Sequence, residues 1–250
     1  MIRRRLALVA LSLVVAALPA VAKPVDAPPD PETPGLAGNE RLQALLERVK
    51  YEQKRLVALE AEFVQEKSSE FLTAPETSRG QLSFANPDRV RWEYASPKPI
   101  SLLIRDGVML TWYRDVGRAE RVKVGRFSSQ VLQYLNASSS LESLLRYFHA
   151  RVAFPTTAEP YRIELTPRFS RVAKRLAEMT LWIDRRLFLP VRVRYVEPNG
   201  DVTEYRLNDV RVNPELAESR FTLDLPPGVE VREIDLDGGR RRAADDGAAD

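Results

Sequence analysis

Hydrophobic residues recur along this chain with two different periods. In residues 39–56, NERLQALLERVKYEQKRL, the leucines and Val49 fall at helical spacing, which predicts a helix with Asn39 as its N-cap. In residues 89–107, RVRWEYASPKPISLLIRDG, apolar and polar positions alternate on both sides of a Pro-containing turn. The pattern therefore predicts an initial helix followed by antiparallel strands.

The second half of the chain returns to helical spacing and then to strands. SSQVLQYLN and SSSLESLLRYFHA predict two short helices within residues 128–150. The later strands are YRIELTP, RLAEMTLWID, FLPVRVRYVE, VTEYRLNDVRVN and FTLDLPPGVEV. Short turns between them favour up-and-down connections, and an antiparallel sheet of about ten strands must curl. We predict a β-rich α+β fold: an incompletely closed antiparallel β-barrel, or half-barrel, with helices forming a lid over an apolar cavity.

The two ends of the chain differ in composition from this folded body. Residues 1–22 carry three Arg at positions 3 to 5, continue with an apolar stretch and end in Ala20-Val21-Ala22, which predicts a cleavable signal peptide. Residues 23–39 are Pro-rich and predict a disordered tether. The folded domain is predicted over 40–236, and the polar residues 237–250 are predicted to be a disordered charged tail.

Charge and cysteine content narrow the class of protein. The chain has 38 Lys and Arg, 35 Asp and Glu, and no Cys. Without residues 1–22, 35 basic and 35 acidic residues remain, so a basic surface for nucleic acid is not indicated. Without Cys, no lipid-anchoring cysteine follows the leader, and stability must come from packing. We expect a periplasmic protein exported by its signal peptide.

Candidate catalytic groups are sparse. The chain has one histidine, His149, and no G-x-S-x-G motif, so nucleophile–base chemistry and a common zinc site are not indicated. A pair of glycosidase carboxylates need not be adjacent in sequence, and that class stays open although no pattern indicates it. We predict no catalytic residue, no metal site and no cofactor.

Alternating apolar residues on the strands are candidates for the lining of the cavity. These are Leu82, Phe84, Val90, Trp92, Tyr94, Leu102, Ile104, Leu110, Trp112, Leu181 and Ile183. The predicted lid helices offer Leu132, Leu135, Leu144, Leu145 and Phe148. An ordinary β core explains most of these positions equally well, because periodicity does not distinguish a packed core from a cavity.

Several stretches in order resemble the LolA family of periplasmic outer-membrane lipoprotein carriers. They are LEAEFVQE, RGQLSFANPDRVRWEYASPKPISLLIRDGVMLTWYRD, YRIELTP and FTLDLPPGVEV, from about Leu42 to Val231. The resemblance implies a barrel with a helical lid and a carrier of acylated lipoproteins. It implies as partners an inner-membrane lipoprotein-releasing ABC transporter and an outer-membrane acceptor. We expect the carrier to be a monomer.

One position departs from that family. In well-studied members of the family, the residue before the strand-ending proline is an arginine thought to contact the lid. This chain has Asn86 before Pro87 instead. Asn can still donate a hydrogen bond, but it has a shorter reach and no charge. We keep Asn86 as the expected lid-contact position, with Arg89 or Arg91 as substitutes, although their alternation points them outward.

Three other functions remain open at this stage. The same fold can carry or sense another lipid or lipoprotein signal, which mass spectrometry of an extracted ligand would reveal. A regulatory module that binds a membrane-protein domain ranks below it, because residues 40–236 leave little room for a second domain. A cell-envelope enzyme ranks last.

Overall fold

The computed structural model describes residues 27–123, 141–156 and 158–234, and twelve strands in them form one sheet. The helices are α1 (Gly38–Arg55), α2 (Leu141–Tyr147) and α3 (Ser170–Ala173). The strands are β1 (Ala58–Ser68), β2 (Glu76–Ala85), β3 (Arg89–Ser96), β4 (Ile100–Arg105), β5 (Val108–Tyr113), β6 (Arg118–Lys123), β7 (Phe148–Ala153), β8 (Tyr161–Pro167), β9 (Glu178–Ile183), β10 (Pro190–Val196), β11 (Val202–Val212) and β12 (Glu230–Ile234). A 3₁₀ turn spans Glu218–Phe221.

The strand order is β12-β6-β5-β4-β3-β2-β1-β11-β10-β9-β8-β7. Neighbouring strands are antiparallel except β12, which pairs with β6 in parallel. The first and last strands in this order do not pair with each other, so the sheet is open, as predicted from its length and short turns. No helix in the described ranges is long and apolar enough to cross a membrane.

Both halves of the sheet are built from hairpins. Turn-forming residues at Asp106-Gly107 and at 198–201 predict hairpin turns, and both segments connect paired strands. Asp106 and Gly107 have positive φ values of 53° and 71°, as a tight two-residue hairpin requires. β1 joins the halves by pairing with both β2 and β11.

Three boundaries differ from the sequence predictions. α1 starts at Gly38 after the N-cap Ala37, so Asn39 lies inside the helix. β2 starts at Glu76, inside TAPETSRG (residues 73–80), whose composition predicts a turn. The last predicted strand, 221–231, begins instead with the end of a 3₁₀ turn, and β12 starts only at Glu230. The boundaries of the described strands depend on pairing with other strands, which a local sequence pattern does not show.

Part of the segment predicted as a tether lies against the folded body. Pro31 is fully buried, and its carbonyl accepts a hydrogen bond from Arg41 Nε at 3.0 Å. Both Glu32 carboxylate oxygens lie 2.6 Å from Arg41 Nη2. Composition indicated low hydrophobicity here, but it did not indicate that α1 would supply these polar partners. We call residues 28–32 the N-terminal strap.

Candidate functional site

The two largest apolar clusters lie on one face of the sheet, which we call the inner face because α1 and α2 pack on it. Cross-strand pairs place Trp92 opposite Leu102, and Val193 opposite both Leu181 and Tyr205. Side chains directly opposite each other lie on the same side of a sheet, so the inner face continues across both halves. Its buried residues form two clusters, one in each half of the sheet.

The helix-covered cluster occupies the half formed by β7 to β10. From the helices it takes Leu45, Val49, Leu141 and Leu144, all buried. From the strands and the turn before β10 it takes Phe148, Tyr161, Ile163, Leu165, Met179, Leu181, Ile183, Phe188 and Val193. Helix residues fill the space above the strands, so this half is a two-layer core.

The aromatic cluster occupies the half formed by β1 to β4 and extends to β11. Its buried members are Leu56, Leu59, Ala61, Phe63, Leu82, Phe84, Val90, Trp92, Ile104 and Leu189. Tyr94, Leu102, Met109, Leu187, Tyr205, Leu207 and Val210 pack against them. None of these described residues lies within a helix. Side chains of the sheet and its connections therefore fill this half themselves.

Aromatic rings meet edge to face at the centre of the aromatic cluster. The Phe63 ring lies 4.7 Å from that of Trp92 and 4.9 Å from that of Tyr94, between centroids. The Trp92 ring also lies 5.4 Å from that of Tyr205, although β2 and β1 separate their strands. Such contacts across several strands fit a sheet that bends toward its inner face. Aromatic pairs of this geometry add to the stabilisation from burial.

Gly80 leaves room for this arrangement. A Cβ at residue 80 would overlap the backbone oxygen of Glu93 and lie 2.8 Å from Phe63 Cε1. The β2–β3 register shifts between Arg79 and Gly80 at the same place. The lack of a side chain at this position thus lets β3 and the Phe63 ring approach β2 closely.

A small cavity lies between β2, β3, β10 and β11. Its volume is about 20 Å³, and its lining comprises Leu82, Trp92, Pro190, Val191, Arg192, Val193, Tyr205 and Leu207. That volume suffices for about one water molecule. An acyl chain therefore does not fit in this cavity as it stands, and its entry requires the rings or the cover to move.

Hydroxyl groups lie at one end of the aromatic cluster. Gln65 Nε2 donates a hydrogen bond to Tyr205 Oη at 2.7 Å. Burial raises the pKa of Tyr205 well above its usual value, and the neighbouring Tyr94 and Tyr195 act in the same direction. Burial also raises the pKa of Tyr94. These phenols are neutral at physiological pH and form a polar end to an otherwise apolar surface.

The opposite face of the sheet is largely charged, apart from a small apolar cluster of Ala85, Leu103 and Phe221. The buried carboxylate of Glu60 pairs with Arg211 and, at 2.8 Å, with Arg220. Glu93 pairs with Arg91 and, at 2.7 Å, with Arg114. Arg and Glu side chains thus satisfy one another on the outer face, and the contrast with the inner face fixes which face can shelter an apolar ligand.

Most of the predicted lining residues lie on the inner face, but two of them do not. Leu82, Phe84, Val90, Trp92, Tyr94, Leu102 and Ile104 belong to the aromatic cluster, and Leu181 and Ile183 belong to the helix-covered cluster. Only Leu82 and Trp92 among them line the small cavity. Whether any of these side chains contacts a ligand stays a prediction.

The prediction was wrong for Leu110 and Trp112. The hairpin turn pairs Arg105 with Val108, so Leu110 lies opposite Leu103 and Trp112 opposite Ser101. Leu103 and Ser101 point away from the inner face, because Leu102 and Ile104 point toward it. The prediction continued the alternation of β4 into β5. The hairpin turn reverses which alternate positions face inward, so these two side chains were assigned to the wrong face.

The predicted lid is described only in part. Leu132 and Leu135 lie outside the described residues. Leu144 is buried in α2, and Leu145 packs beside it. Phe148 is the first residue of β7 rather than a helix residue, and its ring is fully buried in the helix-covered cluster. The apolar spacing of SSSLESLLRYFHA predicted a helix that includes Phe148. In the structure the helix ends at Tyr147, because β7 follows α2 without a loop.

Asn86 contacts the chain at the end of α1 instead of α2. Its Nδ2 donates to the Leu56 carbonyl oxygen at 2.8 Å, and its backbone N–H donates to the Val57 carbonyl oxygen at the same distance. The predicted substitutes Arg89 and Arg91 point outward, where Arg89 pairs with Glu218 and Arg91 binds the Thr222 carbonyl. Asn86 thus fixes the start of β1 beside β2.

The described residues offer little for catalysis or metal binding. They contain no group of three or more His, Cys, Asp and Glu residues placed to hold a metal ion. The single His149 is exposed on β7. The feature that most distinguishes the inner face is its continuous apolar character.

Comparisons with known proteins agree with this geometry. The family model "Outer membrane lipoprotein carrier protein LolA" matches residues 54–224. An outer-membrane lipoprotein carrier protein of Halorhodospira halophila is 31% identical over 172 residues, covering 66% of this chain and 74% of that protein. One of Alkalilimnicola ehrlichii is 28% identical, covering 74% of this chain and 81% of that protein.

A solved structure supports the fold. An uncharacterized conserved protein of Thermus thermophilus superposes with a TM-score of 0.50 and 12% sequence identity. The match covers 77% of this chain and 99% of that one. At this identity the likeness concerns only the fold.

Proposed function

The chain belongs to the LolA family of outer-membrane lipoprotein carrier proteins, and from this premise we propose that it shelters the acyl chains of lipoproteins on the inner face of its sheet. The observation that carries the proposal is the continuous apolar inner face of an open sheet, half of it covered by described helices and half filled by aromatic rings. The lipoproteins are carried through the periplasm toward the outer membrane.

Physical chemistry explains the need for such a surface. Each CH₂ of an acyl chain costs about 0.8 kcal/mol in water relative to an apolar environment. A lipoprotein therefore needs an apolar shelter between two membranes. The shelter must also release its cargo, so binding by apolar contact without shape-specific polar recognition is an advantage. No chemical step and no cofactor are required.

The aromatic cluster is the proposed binding half. Its cavity of about 20 Å³ is too small for an acyl chain, so the described structure corresponds to a closed state. Displacement of the Trp92 and Tyr205 rings enlarges the space without breaking the helix-covered core. The hydroxyl groups of Tyr94 and Tyr205 at its end suit the ester and amide groups at which acyl chains begin.

The partners follow from the same proposal. An inner-membrane ABC transporter supplies the acylated lipoprotein, and an outer-membrane acceptor receives it. The carrier acts as a monomer, because one sheet provides the whole apolar face.

A release assay with inner-membrane vesicles or spheroplasts tests the proposal. Trp92→Glu places a carboxylate at the small cavity and is expected to abolish lipoprotein release. Trp112→Glu is the matched control, because it makes the same change on the outer face and is expected to retain release. Circular dichroism and gel filtration establish that both variants are folded.

A second variant keeps the test decisive if Trp92→Glu does not fold. Leu207 is only partly buried and lines the same cavity, so Leu207→Gln is a milder way to make the lining polar. Release at the parental rate by a folded Trp92→Glu or Leu207→Gln protein would refute the binding site. Mass spectrometry of extracted ligand distinguishes lipoprotein acyl chains from another lipid, the alternative cargo.

A further inference from the structure

A patch of positive charge and exposed aromatic rings lies beside α2 and α3. Tyr147 ends α2, and Phe169 lies just before α3. Their side chains are 43% and 53% exposed, and their rings contact each other with centroids 6.4 Å apart. The Tyr147 carbonyl accepts a hydrogen bond from the Arg168 backbone N–H at 2.8 Å, which fixes the two segments side by side.

Four basic residues lie in the same two segments as these rings. Arg146, Arg171, Lys174 and Arg175 are exposed. None of the four forms an ion pair with another described residue. Residues 165–177 contain no Asp or Glu, and the next acid, Glu178, is 3.8 Å from Arg194. Elsewhere on the sheet Arg residues are commonly paired with Glu, so this local excess of positive charge is distinctive.

The short helix α3 orients the patch. Val172 and Leu176 pack against the helix-covered cluster. Because residues four apart lie on one side of a helical turn, the basic residues between and beside them face solvent. We call Arg146, Tyr147, Phe169, Arg171, Lys174 and Arg175 the basic–aromatic patch.

The patch lies at one rim of the sheet. β8 ends and β7 begins there, and the β1–β2 and β10–β11 connections lie at the same rim because these strands are antiparallel in order. The opposite rim carries the start of β1 and the β9–β10 turn. A flat partner that contacts the patch would thus approach the sheet along the ends of its strands.

We infer that the basic–aromatic patch docks the protein on the surface of a bilayer that contains anionic phospholipid. Lys and Arg side chains that have no ion-pair partner among the described residues gain from a negative membrane surface, and each contributes about fivefold to the partition coefficient. Exposed Tyr and Phe rings add an apolar contact at the level of the headgroups. An acidic protein surface would attract the charges, but it does not require two exposed rings among them.

This inference goes beyond the carrier role and does not depend on acyl-chain binding. Docking would bring the rim beside α2 to the membrane, where acylated cargo is collected or delivered. Because binding to a bare bilayer needs neither cargo nor transporter, it is measured separately from lipoprotein release.

The test is co-sedimentation of the exported protein, purified from the periplasm with its N-terminus determined by mass spectrometry. Vesicles contain phosphatidylethanolamine and phosphatidylglycerol, or phosphatidylcholine alone. We expect binding to the anionic vesicles only, and its loss as NaCl rises from about 0.1 to about 0.5 M, because salt screens exposed charges.

Charge reversal locates the surface. The triple variant Arg171→Glu, Lys174→Glu, Arg175→Glu is expected to lower the partition coefficient by at least about 100-fold. The matched control is Lys54→Glu, Lys123→Glu, Arg186→Glu, three exposed basic residues at the opposite rim. It carries the same change in net charge and is expected to lose much less binding.

The absence of Cys gives a second readout. A Cys introduced at exposed Ser170 and labelled with a polarity-sensitive fluorophore should shift to the blue on anionic vesicles, whereas one at exposed Ser219 should not. Equal losses in the two triple variants, equal binding to phosphatidylcholine, or no vesicle binding by the parent would overturn the inference. Binding of the patch to an acidic protein without vesicle binding would overturn it as well, while leaving lipoprotein release unaffected.

Discussion

The two halves of the inner face bury apolar side chains in different ways. In the helix-covered cluster, Leu45 and Val49 from α1 pack onto strand residues such as Ile163 and Leu181. In the aromatic cluster, rings from β1, β3 and β11 fill the space from within the sheet. Two layers hold the first half together, whereas ring contacts hold the second.

This difference suggests that the two halves of the inner face have different roles. A core made by interdigitated helix and strand residues resists opening, because every displaced residue loses contacts in both layers. A ring can rotate away from its neighbours while its strand stays paired. The small cavity lies in the aromatic half, which is therefore the half better suited to admit a ligand.

The largest effect on stability is expected at Gly80, where the aromatic half has no space for an added side chain. Gly80→Ala would place a methyl group against the Glu93 backbone oxygen and the Phe63 ring. We expect a loss of about 3 kcal/mol or more in the free energy of unfolding, since a backbone atom must move. Gly200→Ala is the control: its φ is +89° but nothing lies near its Cβ position, so about 1 kcal/mol is expected. Equal losses in urea unfolding would show that close packing at Gly80 is unimportant.

A pair of leucine truncations compares the two halves directly. Leu45→Ala in the helix-covered cluster removes a fully buried side chain and should cost about 3 kcal/mol. Leu207→Ala beside the small cavity should cost about 1 to 2 kcal/mol, because that side chain is only partly buried. Uptake of a fluorescent fatty acid should increase in Leu207→Ala, because the truncation enlarges the small cavity, and should not increase in Leu45→Ala. The reverse order in both measurements would assign ligand binding to the other half.

The sequence predicted the alternation of inward and outward side chains within the strands better than it predicted the roles of the two halves. Residues 89–107 gave the β3–β4 hairpin and its inward side chains correctly, because alternation within a strand depends only on local geometry. The error at Leu110 and Trp112 arose one turn later, where register decides the face. The parallel pairing of β12 with β6 is a long-range contact that no local pattern contains.

The candidate site shows the same limit. Trp92 and Leu82 were identifiable as inward residues, but their partners Tyr205 and Leu207 lie more than a hundred positions away in β11. The alternation of VTEYRLNDV contained that signal, but pairing with β1 and β10 was needed to bring it to the same place. The N-terminal strap was missed because its attachment depends on Arg side chains of α1 and of the β9–β10 turn.

Each half also contains a buried tyrosine, which allows a comparison by pH. Burial and the nearby Glu32 carboxylate raise the pKa of Tyr161 to about 12 in the helix-covered cluster. The pKa of Tyr205 shifts in the same direction in the aromatic cluster. A phenol whose pKa is raised on folding stabilises fully below its unfolded pKa near 10, and this contribution is lost as pH rises through the folded pKa.

Tyrosine-to-phenylalanine variants separate these contributions. Tyr205→Phe leaves the Gln65 amide without its acceptor and should cost about 1 kcal/mol at about pH 8. Both Tyr205→Phe and Tyr161→Phe should show a smaller loss of stability between about pH 8 and about pH 11 than the parent in urea unfolding. An unchanged alkaline slope in either variant would mean that its phenol titrates normally in the folded protein.

The smallest expected effect concerns the N-terminal strap, which joins α1 to the sheet. Glu32 contacts Arg41 on α1 and lies 3.3 Å from Arg185 after β9. Burial opposes ionisation of Glu32, but hydrogen bonds and the charges of these arginines outweigh it and lower the pKa of Glu32. Its stabilisation is thus present above the ordinary pKa of 4.5 and is lost as pH falls through the folded pKa.

Glu32→Gln should therefore lower the free energy of unfolding at about pH 7 by up to about 1 kcal/mol, the usual range for a partly exposed ion pair. The difference from the parent should shrink as pH falls below 4.5 and through the lowered pKa of Glu32 in the folded protein. Glu47→Gln, an exposed change on α1 without an ion pair to a described residue, should cost less. If Glu32→Gln leaves stability unchanged but increases fatty-acid uptake, the strap restrains α1 rather than stabilising the fold, and the helix-covered half also opens.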